Sequence, residues 1–261
     1  MAKEVFGRHE AKYCLNEFQL KEFHKEINKY LELDQYNKDG NLYRIYNLYA
    51  DTKDNNMIRT SLSKPKYKEK IRIRAYQEFK SDDLVFVEIK KKYNRFVNKR
   101  RTKMKFKDAV VFVETGELSE IHSYMNLQVI KELNYLISKE PLYLKTYLAY
   151  DRMAYFSKEQ KDLRITFDTN IIAKRNNTDC VQLLEDGMWI MEIKAEQAFP
   201  LWLVKLLSKH KIYKQSFSKY GKEYEHYLRG IKYSDKNQIK EYEHILEEEL
   251  QHAGNTFEFE Y

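Results

Sequence analysis

Alternation of charged and apolar residues is the feature that most restricts what this chain can fold into. In the segment 70–76, Lys-Ile-Arg-Ile-Arg-Ala-Tyr, Lys70, Arg72 and Arg74 share one face, and Ile71, Ile73 and Ala75 share the other. A period of two is that of an extended strand, whose successive side chains project to opposite faces. The pattern recurs along the chain. Val85, Val87 and Ile89 oppose Phe86, Glu88 and Lys90, while Arg8, Glu10 and Lys12 fall at spacing two. Arg164, Thr166 and Asp168 alternate with Ile165 and Phe167, and Glu192 and Lys194 alternate with Met191, Ile193 and Ala195. Helical spacing fills the intervals. Asn16 reads as the N-cap of a helix running to about Leu31, with Phe18, Phe23, Ile27 and Tyr30 near helical spacing. The stretch 117–137 reads as one or two helices, and Pro200 fits the first turn of a helix over 201–207. A short acidic amphipathic helix is expected over 238–251. Strands with interspersed helices predict an α+β fold.

Composition narrows the class. Of 261 residues, 43% are apolar and 15% aromatic, too apolar for a disordered polyelectrolyte. No apolar run approaches the ~20 residues of a membrane-spanning helix, and the first residues carry no signal-peptide core. Cys14 and Cys180 make no disulfide framework, so a soluble protein of a reducing compartment is expected. The 47 Lys and Arg exceed the 40 Asp and Glu by little, but the excess is concentrated. Residues 53–107 hold 19 basic and 6 acidic side chains, whereas 231–261 holds eight acidic and three basic ones. A basic block of this kind points either to a polyanionic partner or to a merely solvated face.

The mixture of signs bears on that choice. A solvated strand face needs no ladder of Lys and Arg punctuated by single carboxylates. A phosphate site with a metal uses both: cations for the non-bridging oxygens, carboxylates for a divalent ion. Strands closed into an eight-stranded antiparallel barrel, charges inward and helices packed outside, would leave an interior wide enough for side chains or one slender ligand. Unpaired buried charge costs several kcal/mol per ion, about the scale at which a bound polyphosphate becomes the missing counter-charge. Ordinary half-buried strands remain the other reading. Single-stranded nucleic acid is disfavoured, because most Tyr and Phe fall at expected core positions and no RNA-binding signature appears.

An ordered set of short motifs carries a resemblance. Arg8-His-Glu10-Ala-Lys12-Tyr13 is followed by Leu48-Tyr49-Ala-Asp51-Thr52, then by Lys64-Pro65-Lys-Tyr67-Lys68-Glu69-Lys70-Ile-Arg72-Ile-Arg74. Val87-Glu88-Ile-Lys90-Lys-Lys92, Lys99-Arg100-Arg101, Tyr150-Asp151-Arg152 and Leu163-Arg164-Ile come next. Met191-Glu192-Ile-Lys194 and Ser216-Phe217-Ser218-Lys219-Tyr220 complete the set. The chain resembles the VTC (vacuolar transporter chaperone) domain, the polyphosphate polymerase branch of the triphosphate tunnel metalloenzymes, in its bacterial stand-alone form.

The resemblance implies a tunnel domain over 1–230 and an acidic helical extension over 231–261. It implies transfer of the ATP γ-phosphoryl group to a growing polyphosphate chain. Arg72, Arg74, Lys90, Arg152, Arg164 and Glu192 would act on the reacting phosphates, and Lys12, Lys70, Lys99, Lys194 and Lys219 would bind the polyanion. Glu192 would hold Mn2+ or Mg2+, with Glu10 and Glu88 as weaker metal candidates. ATP and inorganic polyphosphate are the implied partners, in the cytoplasm, with room for a membrane protein that receives the polymer. A tripolyphosphatase or nucleoside triphosphatase with the same tunnel, and a non-catalytic polyphosphate-binding module, are the alternatives. Arg8 stands where the wider superfamily has its first Glu, which favours the polymerase branch. Ser216 stands where the eukaryotic pattern has a further Lys, which implies weaker binding of a terminal phosphate.

Overall fold

The computed structural model describes residues 9–37, 40–94, 96–175 and 179–230. In chain order the elements are β1 (His9–Asn16), α1 (Glu17–Ile27), β2 (Leu31–Leu33), β3 (Tyr43–Asp51), α2 (Asn56–Leu62), β4 (Tyr67–Ala75), β5 (Leu84–Tyr93) and β6 (Phe96–Lys105). They continue with α3 (Phe106–Thr115), α4 (Leu127–Lys139), β7 (Tyr143–Ser157), β8 (Arg164–Arg175), β9 (Val181–Gln182), β10 (Met188–Ala195), α5 (Leu201–Lys209), β11 (Lys214–Gln215) and α6 (Lys219–Leu228). The fold is α+β, built on one antiparallel sheet.

The strands hydrogen-bond in the order β11-β1-β10-β8-β7-β3-β4-β5-β6, with β2 alongside β7 and β9 alongside β8. Among the described residues no ladder joins β6 back to β1 or β11, so the expected closed eight-stranded barrel is instead an open path in an 11-stranded sheet. The sheet is nonetheless strongly curled. β1 and β5 lie six strand intervals apart, about 29 Å if the sheet were flat, yet Glu10 Oε2 of β1 is 4.0 Å from Lys90 Nζ of β5. Only curling with the charged face inside brings those atoms together.

The apolar halves of the alternating strands face outward, under helices. Ile71 and Ile73 of β4 and Val85, Val87 and Ile89 of β5 pack beneath Phe106, Val110 and Val113 of α3 and Leu133 and Ile137 of α4. Ile165 and Phe167 of β8 and Met191 and Ile193 of β10 pack beneath Leu20, Phe23 and Ile27 of α1 and Leu203, Leu206 and Leu207 of α5. Asn16 begins α1 through a capping box, accepting from the Gln19 amide at 2.8 Å while Gln19 Oε1 accepts from the Asn16 amide at 3.2 Å. The helix stops at Ile27 rather than near Leu31, because Leu31–Leu33 is drawn into the sheet as β2. Its core residue in the first turn is Leu20, while Phe18 is exposed. Over 117–137 only α4 forms. The helix before it, α3, ends at Gly116, whose φ of 79° lets the chain turn away.

Two helices depart from the expected exterior position. Asn170, in the left-handed region at φ 48°, coincides with a register shift between β7 and β8. Beyond it Ile171 and Ala173 share an inner-face cluster with Ile45 and Tyr49 of β3 and Leu148 and Tyr150 of β7. Ile58 of α2 and Tyr220 and Tyr224 of α6 complete that cluster. These helices therefore fill one end of the curled sheet. Asp51, fully buried, ties them together: its carboxylate accepts the Met57 amide at 2.8 Å, the Ile58 amide at 3.0 Å and the Tyr220 hydroxyl at 2.7 Å. The N-terminus of α2 is thus satisfied by a carboxylate, which also suits its dipole.

The acidic helix expected over 238–251, the whole extension 231–261 and Arg8 lie outside the described residues. No helix among the described residues is long and apolar enough to cross a membrane.

The inner plug is held by a buried ion pair. Arg175 donates to Glu223 through Nε at 2.8 Å and Nη2 at 2.6 Å, and through Nη1 to Asn55 Oδ1 at 2.9 Å. Both charged side chains are 3% exposed. Replacing one partner leaves the other charge buried, so Arg175→Ala should destabilise the protein by about 3–5 kcal/mol in chemical unfolding. An unchanged unfolding midpoint would show that the pair does not anchor α6.

Candidate functional site

Strand register sets the inner face in rungs. Lys70, Lys90 and Lys99 stand opposite one another on β4, β5 and β6; the next rung is Arg72, Glu88 and Arg101, and the next Arg74, Phe86 and Lys103. Every charged residue singled out on these strands thus shares one surface. Glu88, almost fully buried, is its hub. Its Oε2 accepts from Arg72 Nε at 2.9 Å and Nη2 at 2.8 Å, its Oε1 lies 2.7 Å from Lys99 Nζ, and Arg74 Nε is 3.8 Å away. Burial opposes ionisation of Glu88, but Arg72, Arg74 and Lys99 overcome it and hold the carboxyl well below the usual range.

One carboxylate serves three cations, so two positive charges are in surplus. Burial pushes the Lys99 ammonium down to about 7, and the attraction of Glu88 is partly undone by Arg72 and Arg74. Lys70 has no carboxylate within ion-pairing distance among the described residues. Burial pushes it down to about 8, with its ammonium 5.3 Å from the centre of the Tyr220 ring. Burial likewise lowers Lys90, against the pull of Glu10. The lysine rung is the least neutralised part of the lumen.

The opposite wall comes from β1, β10, β8 and β7. Across the β1–β10 ladder Glu10 faces Lys194 and Lys12 faces Glu192, which makes a checkerboard of signs. Glu192 Oε1 lies 2.9 Å from Lys194 Nζ, and Lys12 Nζ donates to the Phe217 carbonyl at 2.9 Å. Burial again opposes the charge on Glu192, and Lys194, Lys12 and a hydrogen bond with Glu10 lower it well below the usual range. Further along, Arg152 grips Asp168 through Nε at 2.6 Å and Nη2 at 2.8 Å, and Lys219 donates to the same carboxylate at 2.5 Å. Burial would raise the Asp168 carboxyl, but these two cations bring it down to about 2. Lys219 opens α6, so the plug helix delivers a cation to the lumen. Arg164 sits nearer the rim, 3.1 Å from Asp34 Oδ2 and with its guanidinium 4.9 Å from the centre of the Phe156 ring.

Several participants are not obvious in sequence. Asp168 is visible in the Arg164–Thr166–Asp168 alternation, yet its role as the shared partner of Arg152 and Lys219 requires three dimensions. Tyr49 and Tyr150, which composition places in the core, face the lumen and accept hydrogen bonds from Arg72 at 2.8 Å and Arg74 at 3.3 Å. Asn47 orients Arg74 by accepting from its Nε at 3.0 Å. Ser216 is exposed, and Cys14 packs at the edge of the plug cluster.

A divalent ion has a restricted choice of seats. No group of three or more His, Cys, Asp or Glu side chains able to hold a metal occurs among the described residues. Glu10 and Glu192, diagonal to each other on the paired strands β1 and β10, supply two carboxylates. Thr166 stands opposite Glu192 across β8, and its buried hydroxyl has no hydrogen-bond partner among the described residues. This oxygen-only set suits Mg2+ or Mn2+, which take one or two carboxylates and complete their shells with phosphate oxygens and water. Glu88, surrounded by Arg72, Arg74 and Lys99, is a poorer seat for a cation, although its Oε1 makes an ion pair with Lys99 and no well-directed hydrogen bond.

Residues 7–228 match the VTC domain, so the chain belongs to the VTC domain family. Among solved structures, a candidate adenylate cyclase from Bacillus halodurans is 14% identical over 93% of this chain and 99% of its own, with a TM-score of 0.42. One from Vibrio parahaemolyticus is 10% identical over 85% and 99%, with a TM-score of 0.46. A candidate adenylyl cyclase from Hippeastrum, described as having a dominant triphosphatase activity, is 13% identical over 86% and 96%, with a TM-score of 0.45. The curated proteins contain no significant match.

The depressed lysines have a measurable consequence. Lys99 and Lys70 lose charge as pH rises through about 7 and about 8, so affinity for tripolyphosphate should fall across that interval. A bound polyanion favours the charged amines, so binding at pH 7.5 should take up protons, and Lys99→Met should reduce the uptake. Calorimetry in buffers of different ionisation enthalpy measures this directly. Equal heats in all buffers would rule out titrating lysines at the site.

Proposed function

We propose that this protein is a divalent-metal-dependent polyphosphate polymerase that transfers the γ-phosphoryl group of ATP to the end of a polyphosphate chain. The unit proposed to carry the activity is 1–230, with 231–261 as an appended acidic segment. The observation that carries the reading is the pairing of the lumen carboxylates with cations: Glu88 with Arg72 and Lys99, Asp168 with Arg152 and Lys219, and Glu192 with Lys194. Glu88, Asp168 and Glu192 are all held ionised by paired cations, with carboxyls lowered below their ordinary range. Such carboxylates are weak bases and poorly suited to take a proton from an attacking water. A terminal phosphate is already an anion near neutral pH and needs no base. Hydrolysis would have to draw on Lys99 or Lys70, lowered to about 7 and about 8, which a bound polyanion itself holds charged. This favours a phosphate acceptor over hydrolysis.

In the proposed reaction a terminal oxygen of the chain forms a bond to the γ-phosphorus. The bond from that phosphorus to the β–γ bridging oxygen breaks, and ADP leaves. Phosphoryl transfer demands positioning and charge neutralisation more than covalent help from the protein. Arg72 and Arg74, two residues apart on β4 and pinned by Glu88, Tyr49 and Asn47, present planar guanidinium groups to adjacent phosphates. Arg152 and Lys219, fixed by Asp168, and Arg164 at the rim line the opposite wall. Lys12, Lys70, Lys90, Lys99 and Lys194 supply the remaining positive charge along the polymer. Glu192, with Glu10 and Thr166, would hold Mn2+ or Mg2+, which when bound neutralises phosphate oxygens and polarises the phosphorus under attack.

Purified protein supplied with ATP, Mn2+ and a short polyphosphate primer should give growth of the internal-phosphate signal in 31P NMR together with ADP. Orthophosphate as the sole new phosphate would replace the polymerase reading with a hydrolase. Arg72→Ala should slow turnover by about 10²–10³-fold. Glu192→Ala should abolish metal-dependent turnover and leave polyanion binding measurable, and wild-type turnover in that variant would remove Glu192 from the metal site.

A further inference from the structure

At the rim beyond Arg74, the inner face changes from charge to aromatic rings. Phe86 follows Glu88 in the alternation of β5, and Tyr76 follows Arg74 just past the end of β4. Tyr43 opens β3 opposite Arg152. Their rings form a chain: Tyr36 to Tyr43 at 6.5 Å, Tyr43 to Tyr76 at 6.3 Å, and Tyr76 to Phe86 at 6.1 Å, with interplanar angles of 63°, 50° and 84°. Contacts at these angles hold the rings in fixed orientations. Tyr36 is 70% exposed and Tyr76 49% exposed. The platform is also cationic, because the Arg101 guanidinium lies 4.4 Å and the Lys103 ammonium 5.8 Å from the centre of the Phe86 ring.

Large rings left open on the rim of a soluble protein call for an occupant. Its chemistry is set by what adjoins it. Phe86 is two residues from the Glu88 hub, about 7 Å along the strand, so a ligand whose phosphates lie on Arg72 and Arg74 reaches the rings with whatever is attached to its first phosphate. A bare polyphosphate has nothing there to stack. A nucleoside triphosphate has a flat base, joined through a sugar that bridges the gap.

We propose that Tyr76, flanked by Phe86, Tyr43 and Tyr36, is a nucleobase platform that makes the lumen select nucleoside triphosphates over inorganic triphosphate at the donor end. The proposal rests on the phosphate-binding reading of the lumen and adds a specificity element to it. Stacking tolerates any base, with larger purines gaining most overlap, so selectivity among purines is weak and purines exceed pyrimidines.

The test compares ATP with inorganic tripolyphosphate as competing ligands, using calorimetry and a fluorescent 2-aminopurine nucleoside triphosphate. Wild-type protein should bind ATP more tightly than a pure charge count allows and should quench the 2-aminopurine. Tyr76→Ala should weaken ATP roughly tenfold, abolish the quenching and leave tripolyphosphate affinity unchanged, while Tyr76→Phe should behave as wild type. Unquenched 2-aminopurine in the wild type, or equal loss of both ligands in Tyr76→Ala, would overturn the platform. If the wild type binds neither ligand, the phosphate-binding reading fails and the platform fails with it. Tripolyphosphate binding without quenching removes the platform alone.

Discussion

The whole arrangement depends on burying charge on the concave side of a sheet. An alternating strand forces its polar side chains onto one face, and curling that face inward removes them from bulk water. Two carboxylate hubs make this tolerable. Glu88 gathers Arg72, Arg74 and Lys99, and Asp168 gathers Arg152 and Lys219. Glu88 is on a strand between those of the cations it binds, and Asp168 is bound by Arg152 from the neighbouring strand and by Lys219 from the start of α6. Buried pairs of this quality need bidentate geometry to offset desolvation, and both hubs include a two-pronged arginine contact.

The plug helices follow from the same constraint. A lumen charged along its full length would leave too many unpaired groups, and after the shift at Asn170 the inner face of β8 turns apolar with Ile171 and Ala173. That apolar end receives α2 and α6, and the Arg175–Glu223 pair and the Asp51 carboxylate lock them in place. Locking α6 does more than fill space. Its first residue is Lys219, whose ammonium reaches Asp168, and the chain just before it offers the Phe217 carbonyl to Lys12. The structural plug and the phosphate-facing wall are therefore one mechanical unit.

Much of this was legible in the residues, and the limits have physical causes. β1, β4, β5, β8 and β10 announce themselves by alternation because the central residues of each divide into an apolar face and a mainly polar one. β3 and β7 do not: Tyr46, Asn47, Leu48 and Tyr49 are all buried, since both of their faces are covered, and period two vanishes when neither side is wet. Alternation alone puts Lys12, Arg72, Arg74, Lys90 and Glu192 on the charged faces of their strands, while Lys99, Arg152 and Lys219 stand out only through the motifs. The identity of their partners was not legible, because Asp34, Asp168 and Asn47 are distant in sequence from the groups they bind. No helix is expected from the residues over 56–62 or 219–228, and all helices are expected outside, so both the existence and the interior position of α2 and α6 are findings of the structure. An amphipathic helix reveals that it has an apolar face, and nothing about which side of a sheet that face will meet.

The least neutralised rung explains why a structure of this kind should be most stable when it is loaded. Each of Lys70, Lys90 and Lys99 is lowered by burial and by neighbouring cations: Lys70 by Lys90 and Lys68, Lys90 by Lys194 and Lys12, and Lys99 by Arg72 and Arg74. Folding the free protein therefore requires either deprotonating amines or holding surplus positive charge in a confined space. A polyanion reverses the sign of that term: it repays the desolvation of the amines and relieves the repulsion from neighbouring cations. Any ligand that binds the folded lumen and not the unfolded chain adds RT ln(1 + [L]/Kd) to stability. For this site the gain comes chiefly from charges that the protein alone leaves unbalanced. Function and folding thus compete for the same side chains, and the two carboxylate hubs mark how far neutralisation has gone before the ligand must supply the rest.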